Sequence, residues 1–474
     1  MLLYLINPCS KMTSLINIKK NKLSKYLLWK PLGLLVIAGL TPVEWEIKII
    51  DENTTVPDYK ILPRPDLVGI TAFTSQAPRA YEIAEEFRNK NIPVVMGGIH
   101  TSMCYKESMK WTDAVVIGEA ESVWPQILKD VLKGKLKRIY RGQRISLDDT
   151  PEPRHDLLSS GYKFGSIQTT RGCPLSCIFC SVSAFNGKEY RTRPIDNVIN
   201  ELKNIKEKYI LIVDDNLIGT NKSHINRAKE LFKEIIKAKI KKKFIAQATI
   251  NIADDKEFLQ LASKAGLMGV FVGFESISEN GLLELQKKFN AVRKNDFRSS
   301  VKKIKKHGII VLGSFIIGLD IDKKDTGLNI AKTGIQYGLD ILNLVLLTPL
   351  PGTRLWKKYI SEKRIIADNF PEDWKYYTFT LPVSEYKNLS WNEMLVEFSS
   401  CFQYYYTYPR IIGRFLRHLF INRRLIPALI GLIANLNYKS NFSRDKILFK
   451  NIVLSRKTLQ KEIHQKKLEF SIVQ

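Results

Sequence analysis

Thr169-Thr170-Arg171-Gly172-Cys173-Pro174-Leu175-Ser176-Cys177-Ile178-Phe179-Cys180 places three cysteines within eight residues, directly after a strand-like run. Thiolates hold iron–sulfur clusters, usually four to a cluster. Three close cysteines can each bind one iron of a cubane and leave the fourth iron open to a small chelating molecule. Zinc is the plainer metal, but it wants four closed ligands. His155 and His224, upstream and downstream, are both far away in sequence. A set of buried structural thiols is the remaining alternative. Six cysteines in 474 residues make no disulfide framework, so the triplet reads as a metal site in a reducing compartment. Cys9 and Cys104 read as incidental or buried thiols.

Working outward, the loop opens a series of apolar strand candidates at 166–170, 209–215, 244–250, 269–275, 311–318 and 341–349. Helical segments rich in Lys, Glu and Leu separate them. Six β/α units of this size predict a partial barrel over 151–355, with chemistry at the carboxyl ends of its strands. Upstream, residues 1–150 carry strand candidates at 2–7, 46–51, 66–71, 93–98 and 113–118, again separated by helical patterns. These predict a Rossmann-like, doubly wound domain whose ligand crevice lies beyond the strand ends. Thr71, Phe73, Thr74, Gly97, Gly98, His100, Gly118, Glu119 and Glu121 are the residues expected there. A polar, Pro-containing connection at 146–153 divides the two domains. The fold class is therefore α/β, with a mostly helical region over 356–474.

The hydrophobic fraction of 45% is that of a globular chain. The apolar runs Leu27 to Leu40 and Leu425 to Leu436 are shorter than the roughly 20 residues a bilayer requires. The start of the chain lacks the marks of a secretory signal. The expected location is cytoplasmic, with contact to the inner face of the membrane as an extension of that reading. The formal charge is +27, and from Cys401 onward fourteen Lys and Arg stand against three Asp and Glu. That concentration suits an anionic surface or partner.

The cysteine loop and the strand ends that follow it resemble the core of radical S-adenosylmethionine (SAM) enzymes. The resemblance covers 161 to about 355. It implies a [4Fe–4S] cluster on Cys173, Cys177 and Cys180, with SAM on the fourth iron, cleaved reductively to methionine and a 5′-deoxyadenosyl radical. VDDN (213–216) stands where the family meets the methionine moiety, GFES (273–276) where it meets the ribose, and GSFIIG (313–318) near the adenine. TPLPGT (348–353) ends the sixth strand. The SAM-shell candidates are thus Asp214, Asp215, Asn216, Gln247, Glu275, Ser276 and Gly313. Taken singly, Asp-Asp is as often a cap and Gly a turn.

The N-terminal half resembles the cobalamin-binding domain that precedes many such cores. LINP, KPLGLL (30–35), DLVGITAFT (66–74), VVMGGIHTS (94–102) and VVIGEAESVWP (115–125) carry the likeness. An unrelated Rossmann-like domain is the alternative. The Asp-x-His-x-x-Gly element that supplies a cobalt ligand elsewhere is missing, and His100 is the only histidine before residue 150. The resemblance therefore implies cobalamin without that histidine ligand.

The family resembled is the cobalamin-dependent radical SAM enzymes, most of which methylate unreactive carbons. It implies a small-molecule or lipid-like substrate and an external flavodoxin- or ferredoxin-type donor. The rival activities are a radical cyclisation or rearrangement without methyl transfer, and tRNA modification. Against the latter, no additional cysteine set and no β-rich tail are present. The basic, aromatic region after 400 has three readings: a helical cap on the barrel, a membrane-surface element, or a nucleic-acid contact. The last is the least favoured.

Overall fold

The computed structural model describes residues 1–12, 28–158, 161–293, 296–421 and 425–472. Arg423 and Arg424 of the basic tail lie outside them, as does Leu27. The first unit is a parallel sheet of β1 (Leu2–Asn7), β2 (Glu46–Asp51), β3 (Leu67–Thr71), β4 (Val94–Gly97), β5 (Ala114–Ile117) and β6 (Ile139–Arg141). Its order is β2-β1-β3-β4-β5-β6, so the chain reverses its direction of travel across the sheet between β1 and β3. Strand alternation sends Tyr4 and Ile6 to one face and Leu3 and Leu5 to the other. The helices Leu32–Leu40 and Trp124–Leu132 cover the second face, and Ala77–Arg88 covers the first. Five strands fall where the sequence pattern puts them; β6, only three residues long and carrying Arg141, has too little apolar signal to be seen.

The second unit is an open, all-parallel sheet. Its strands in chain order are β7 (Phe164–Ile167), then, after an antiparallel hairpin of β8 (Thr170–Arg171) and β9 (Arg191–Thr192), β10 (Tyr209–Ile212), β11 (Lys243–Gln247), β12 (Leu267–Glu275), β13 (Ile310–Ile317) and β14 (Ile341–Leu346). The spatial order is β14-β13-β12-β11-β10-β7. The first barrel strand thus begins two residues earlier than the 166–170 run suggests, and Thr170 belongs to the hairpin. Helices Ile195–Asn204, Lys222–Lys237, Lys256–Ala265, Phe297–Lys306 and Thr326–Tyr337 form the outer layer. They start on local signals: Asn221 accepts from His224 N, and Asp255 from Phe258 N. Gly266 ends one of them at φ +110°, where a Cβ would lie 2.3 Å from Lys242 O.

Beyond the barrel, the helices Arg354–Ser361, Trp391–Tyr405, Tyr408–Leu416 and Leu425–Ile472 bear out the helical reading of this region. Phe398, Cys401, Phe402, Tyr405 and Tyr406 share one core with the barrel's outer layer, together with Phe442 and Phe449. The Tyr405 and Tyr406 hydroxyls donate to Leu339 O (2.7 Å) and Leu342 O (2.6 Å). The segment between them goes elsewhere. Ala367, Trp374, Tyr377 and Val383 are buried in the N-terminal unit, against the helix Ala77–Arg88. Trp374 Nε1 donates to Glu107 (2.9 Å). Among the described residues no helix is long and apolar enough to cross a membrane.

Candidate active site

A cavity of about 450 Å³ opens at the carboxyl ends of β10 to β14, and Cys173, Cys177 and Cys180 all line it. The loop that carries them is fastened from several sides. Gly172 turns it at φ +92°, where any Cβ would strike Glu189 O at 2.0 Å. Asp215 accepts from Gly172 N (2.7 Å) and from Asn186 Nδ2 (2.9 Å). Ile178 N donates to Leu285 O (3.2 Å), Leu355 N donates to Ile178 O (3.0 Å), and Arg354 donates to Ser176 O. Burial pushes all three thiols up, Cys177 to about 12. Nearby Lys287 works against that rise at Cys173 and Cys177. Binding iron as thiolates therefore releases protons, as metal binding to cysteine does generally.

The wall of the cavity is divided. Asp215, Asn216, Gln247, Glu275, Ser314 and Asn343 supply polar groups, while Phe179, Phe271, Ile316, Val345, Leu347 and Phe379 are apolar. Glu275 sits at φ +68° and is held by Lys287 Nζ at 2.5 Å; that ammonium also donates to Gly273 O (2.9 Å). Asn216 is buried and donates to Thr249 Oγ1 (3.3 Å). The three thiols together on one cavity with these polar groups fit a site-differentiated cluster and SAM.

Three of the expected SAM residues point elsewhere. Asp214 is fully buried and accepts from Thr169 N (2.6 Å) and from its hydroxyl, tying β10 to the start of the cysteine loop. Burial raises its carboxyl to about 6. Gly313 faces outward, where a Cβ would meet Leu339 and Phe274, and its neighbour Ser314 faces the cavity instead. Ser276 caps the turn that follows, accepting from Ser278 N (3.2 Å). Lys287, Phe271 and Ser314 went unforeseen. Period-two alternation from Glu275 back to Phe271, and from Ile316 to Ser314, was the signal available for the last two. Lys287 had none, because it lies in the connection between the short helices Glu279–Glu284 and Lys288–Arg293, outside any strand.

The N-terminal crevice is likewise reduced. Thr71 is half-buried and Phe73 67% exposed at the end of β3, and Gly97 leaves room beside Val116. Gly98 and Gly118 are explained by packing: a Cβ would lie 2.5 Å from Thr71 Oγ1 and from Gly142 O respectively. Thr74 is buried at the start of the Thr74–Gln76 turn. His100 is 1% exposed, 2.9 Å from the Tyr81 hydroxyl and edge-on to Trp374, so it is part of the packing rather than of the crevice. Glu119 and Glu121 are drawn into ion pairs. Arg171 contacts both, at 3.0 and 2.8 Å, and Arg191 also holds Glu119. These pairs lock the N-terminal strand ends onto the hairpin that leads into Cys173. Of the expected crevice residues, Thr71, Phe73 and Gly97 are the ones left at the carboxyl ends of β3 and β4 without such a packing or ion-pair role.

A cobalamin-type α/β domain set against the open mouth of a parallel partial barrel, with three cysteines on the barrel cavity, defines a class of radical enzymes. The Radical SAM superfamily model matches residues 167–333, and the B12 binding domain model matches residues 21–128. An uncharacterised methyltransferase of Pyrococcus horikoshii is 30% identical over 435 residues, 84% of this chain and 93% of the relative. The hopanoid C-2 methylase of Rhodopseudomonas palustris is 28% identical, covering 72% and 66% of the two chains. The bacteriochlorophyllide d C-8(2)-methyltransferase of Chlorobaculum tepidum is 28% identical, covering 86% and 91%. The structure of the cobalamin-dependent SAM radical enzyme OxsB, with aqua-cobalamin and SAM bound, shares the fold at a TM-score of 0.65 and 15% identity, over 98% and 81% of the chains. The chain belongs to the cobalamin-dependent radical SAM methyltransferase family, whose cofactors are a [4Fe–4S] cluster, SAM and cobalamin.

Proposed function

We propose that this enzyme methylates an unactivated carbon of a small, largely apolar substrate, lipid-like or macrocyclic, held over the cysteine loop. The observation that carries this reading is the divided cavity: polar groups beside the three cysteines, and an apolar wall of Phe179, Phe271, Ile316, Val345, Leu347 and Phe379. When bound, the cluster and SAM supply the radical that removes hydrogen, and cobalamin supplies the methyl group. The chain's own residues bind, orient and exclude water. Cys173, Cys177 and Cys180 hold the cluster. Asp215 fixes the cysteine loop through Gly172 N and Asn186. Asn216, Gln247 and the Glu275–Lys287 pair offer the polar groups that receive SAM. Thr71, Phe73 and Gly97 meet the cobalamin. The apolar wall keeps water from the reacting carbon, which matters because a carbon radical is quenched by stray hydrogen donors. The names of two relatives, acting on a hopanoid and on a bacteriochlorophyllide, support an apolar polycyclic or macrocyclic substrate. Electrons come from an external donor of flavodoxin or ferredoxin type.

The test is anaerobic reconstitution with iron, sulfide and hydroxocobalamin, then counting both cofactors per chain. About four irons and one cobalamin per chain are expected. Turnover with a candidate substrate should yield 5′-deoxyadenosine and S-adenosylhomocysteine together. A full cluster without bound cobalamin would overturn the methyl-transfer reading, and 5′-deoxyadenosine without S-adenosylhomocysteine would point to a cyclisation or rearrangement.

A further inference from the structure

The amino-terminal end of the barrel, opposite the cavity, has an unusual surface. Tyr408, Ile412 and Leu416 recur every fourth residue along the helix Tyr408–Leu416 and are all exposed. Phe420, 70% exposed, continues the row, and Leu425 and Leu429 extend it onto the next helix. The apolar partners of these helices are elsewhere: Ile411 and Ala428 are buried, so the row is the outer face of a cap already packed on its inner side. His418 bonds Asp340 at 2.7 Å, and Leu425 and Pro427 border a depression with Gly266, Leu267 and Gly308. Those contacts fix the row beside the residues that lead into β12, β13 and β14.

The charge around it has one sign. Between Phe398 and Arg444 the chain has no Asp or Glu. Arg417 is exposed within the row. The loops and helix ends that feed β10, β11, β12 and β13 at the same end of the barrel carry exposed Lys206, Lys208, Lys237, Lys239, Lys241, Lys264, Lys303 and Lys306. The acidic groups there are already paired: Glu207 with Lys30 at 2.9 Å, and buried Asp340 with Lys305 and His418. An apolar row in a broad basic field matches an anionic bilayer, where aliphatic side chains enter the acyl boundary and lysines face the headgroups. Nucleic acid would use the lysines but leave Ile412, Leu416 and Phe420 without a purpose.

We infer that this face docks the enzyme peripherally on an anionic lipid surface, through Tyr408, Ile412, Leu416, Phe420, Leu425 and Leu429 and the lysines at the amino ends of the barrel strands. The cavity mouth, at the opposite ends of those strands, is then turned away from the bilayer. It stays open to the electron donor, and a membrane-borne substrate must leave the lipid to reach it. The inference is independent of the methylation reading.

The full-length protein is floated with vesicles of phosphatidylcholine, and of phosphatidylcholine mixed with phosphatidylglycerol. Binding to the mixed vesicles alone is expected, weakening as salt is raised toward about 1 M, where charge is screened beyond ~3 Å. The triple variant Ile412→Ser/Leu416→Ser/Phe420→Ser should bind at least about tenfold more weakly, since each side chain loses its apolar transfer. The set Lys239→Gln/Lys241→Gln/Lys306→Gln should abolish the preference for anionic lipid. Both variants should keep the iron content and thermal unfolding of the wild type, because every altered side chain is exposed. Failure to bind either vesicle, or equal binding to both, would overturn the proposal. So would a dimer in sedimentation that the serine variant splits, which would make the row a contact between two copies. Binding of RNA that the serine variant retains and the glutamine variant loses would also overturn it.

Discussion

Replacing Glu119 with Gln tests the lock between the two domains. Glu119 is 5% exposed, and its two oxygens meet Arg171 (3.0 Å), Arg191 (3.0 Å to one guanidinium nitrogen) and Ile145 N (3.1 Å). Glutamine keeps the shape and can still accept from Ile145 N. Its amide nitrogen, however, has only donors to face. Arg171 keeps Glu121 and Gln168 as partners, so the larger loss falls on Arg191. Breaking one member of a buried pair costs about 3–5 kcal/mol. With Arg171 still satisfied, the lower end, about 3 kcal/mol, is expected, which is ~150-fold in the docking equilibrium. Hydrogen exchange of the backbone amides from Arg171 to Cys180 should therefore quicken, and so should proteolysis across 143–158. A double-mutant cycle of Glu119→Gln with Arg191→Met should show coupling above about 1 kcal/mol. Wild-type exchange in that loop, with additive cycles, would refute the lock.

The remaining predictions are shorter. Changing Cys173, Cys177 or Cys180 singly to Ala should abolish the reconstituted cluster's absorption, whereas Cys401→Ala, buried in the helical cap, should leave iron content intact. Lys287→Gln removes the ammonium that holds Glu275, and should weaken SAM binding by about tenfold in calorimetry, the loss of roughly one charge-assisted hydrogen bond. Burial alone would raise the Asp340 carboxyl, but Lys305 and His418 more than offset it and hold it at about 2. Its folded value lies below its unfolded one, so its contribution to stability is full above about pH 4 and is lost as pH falls toward 2. Asp340→Asn should cost about 3 kcal/mol in denaturant unfolding at neutral pH and flatten that acid limb. Glu119 follows the same sign, because Arg191 and Arg171 outweigh the rise that burial would cause, so the domain lock weakens in acid.

The barrel strands were legible because continuous apolar runs between Lys- and Glu-rich helices have few other solutions, and all six appear close to their expected places, as do five in the N-terminal sheet. The cysteine cavity followed from the same register. What failed was direction. Asp214 and Asp215 are adjacent, and alternation sends one inward to Thr169 and the other to the cysteine loop; a motif of two aspartates does not say which. Gly313 and Ser314 divide in the same way. Glu119 and Glu121 looked like ligand residues because they follow a strand end, but their partners, Arg171 and Arg191, lie about 50 to 70 residues on. His100 was drawn into packing by Trp374, a residue 274 positions later that sequence patterns assign only to an aromatic-rich region. Pairings over such distances leave no periodic trace.

That late tryptophan has a consequence for how the protein is made. The N-terminal sheet is synthesised first, yet Ala367, Trp374, Tyr377 and Val383 complete the layer that covers its helix Ala77–Arg88. Until the ribosome has passed residue 383, Tyr81, Trp111 and the His100 ring lack their cover. The early half of the chain therefore cannot complete its own core, because the side chains that close it lie beyond the whole barrel in sequence.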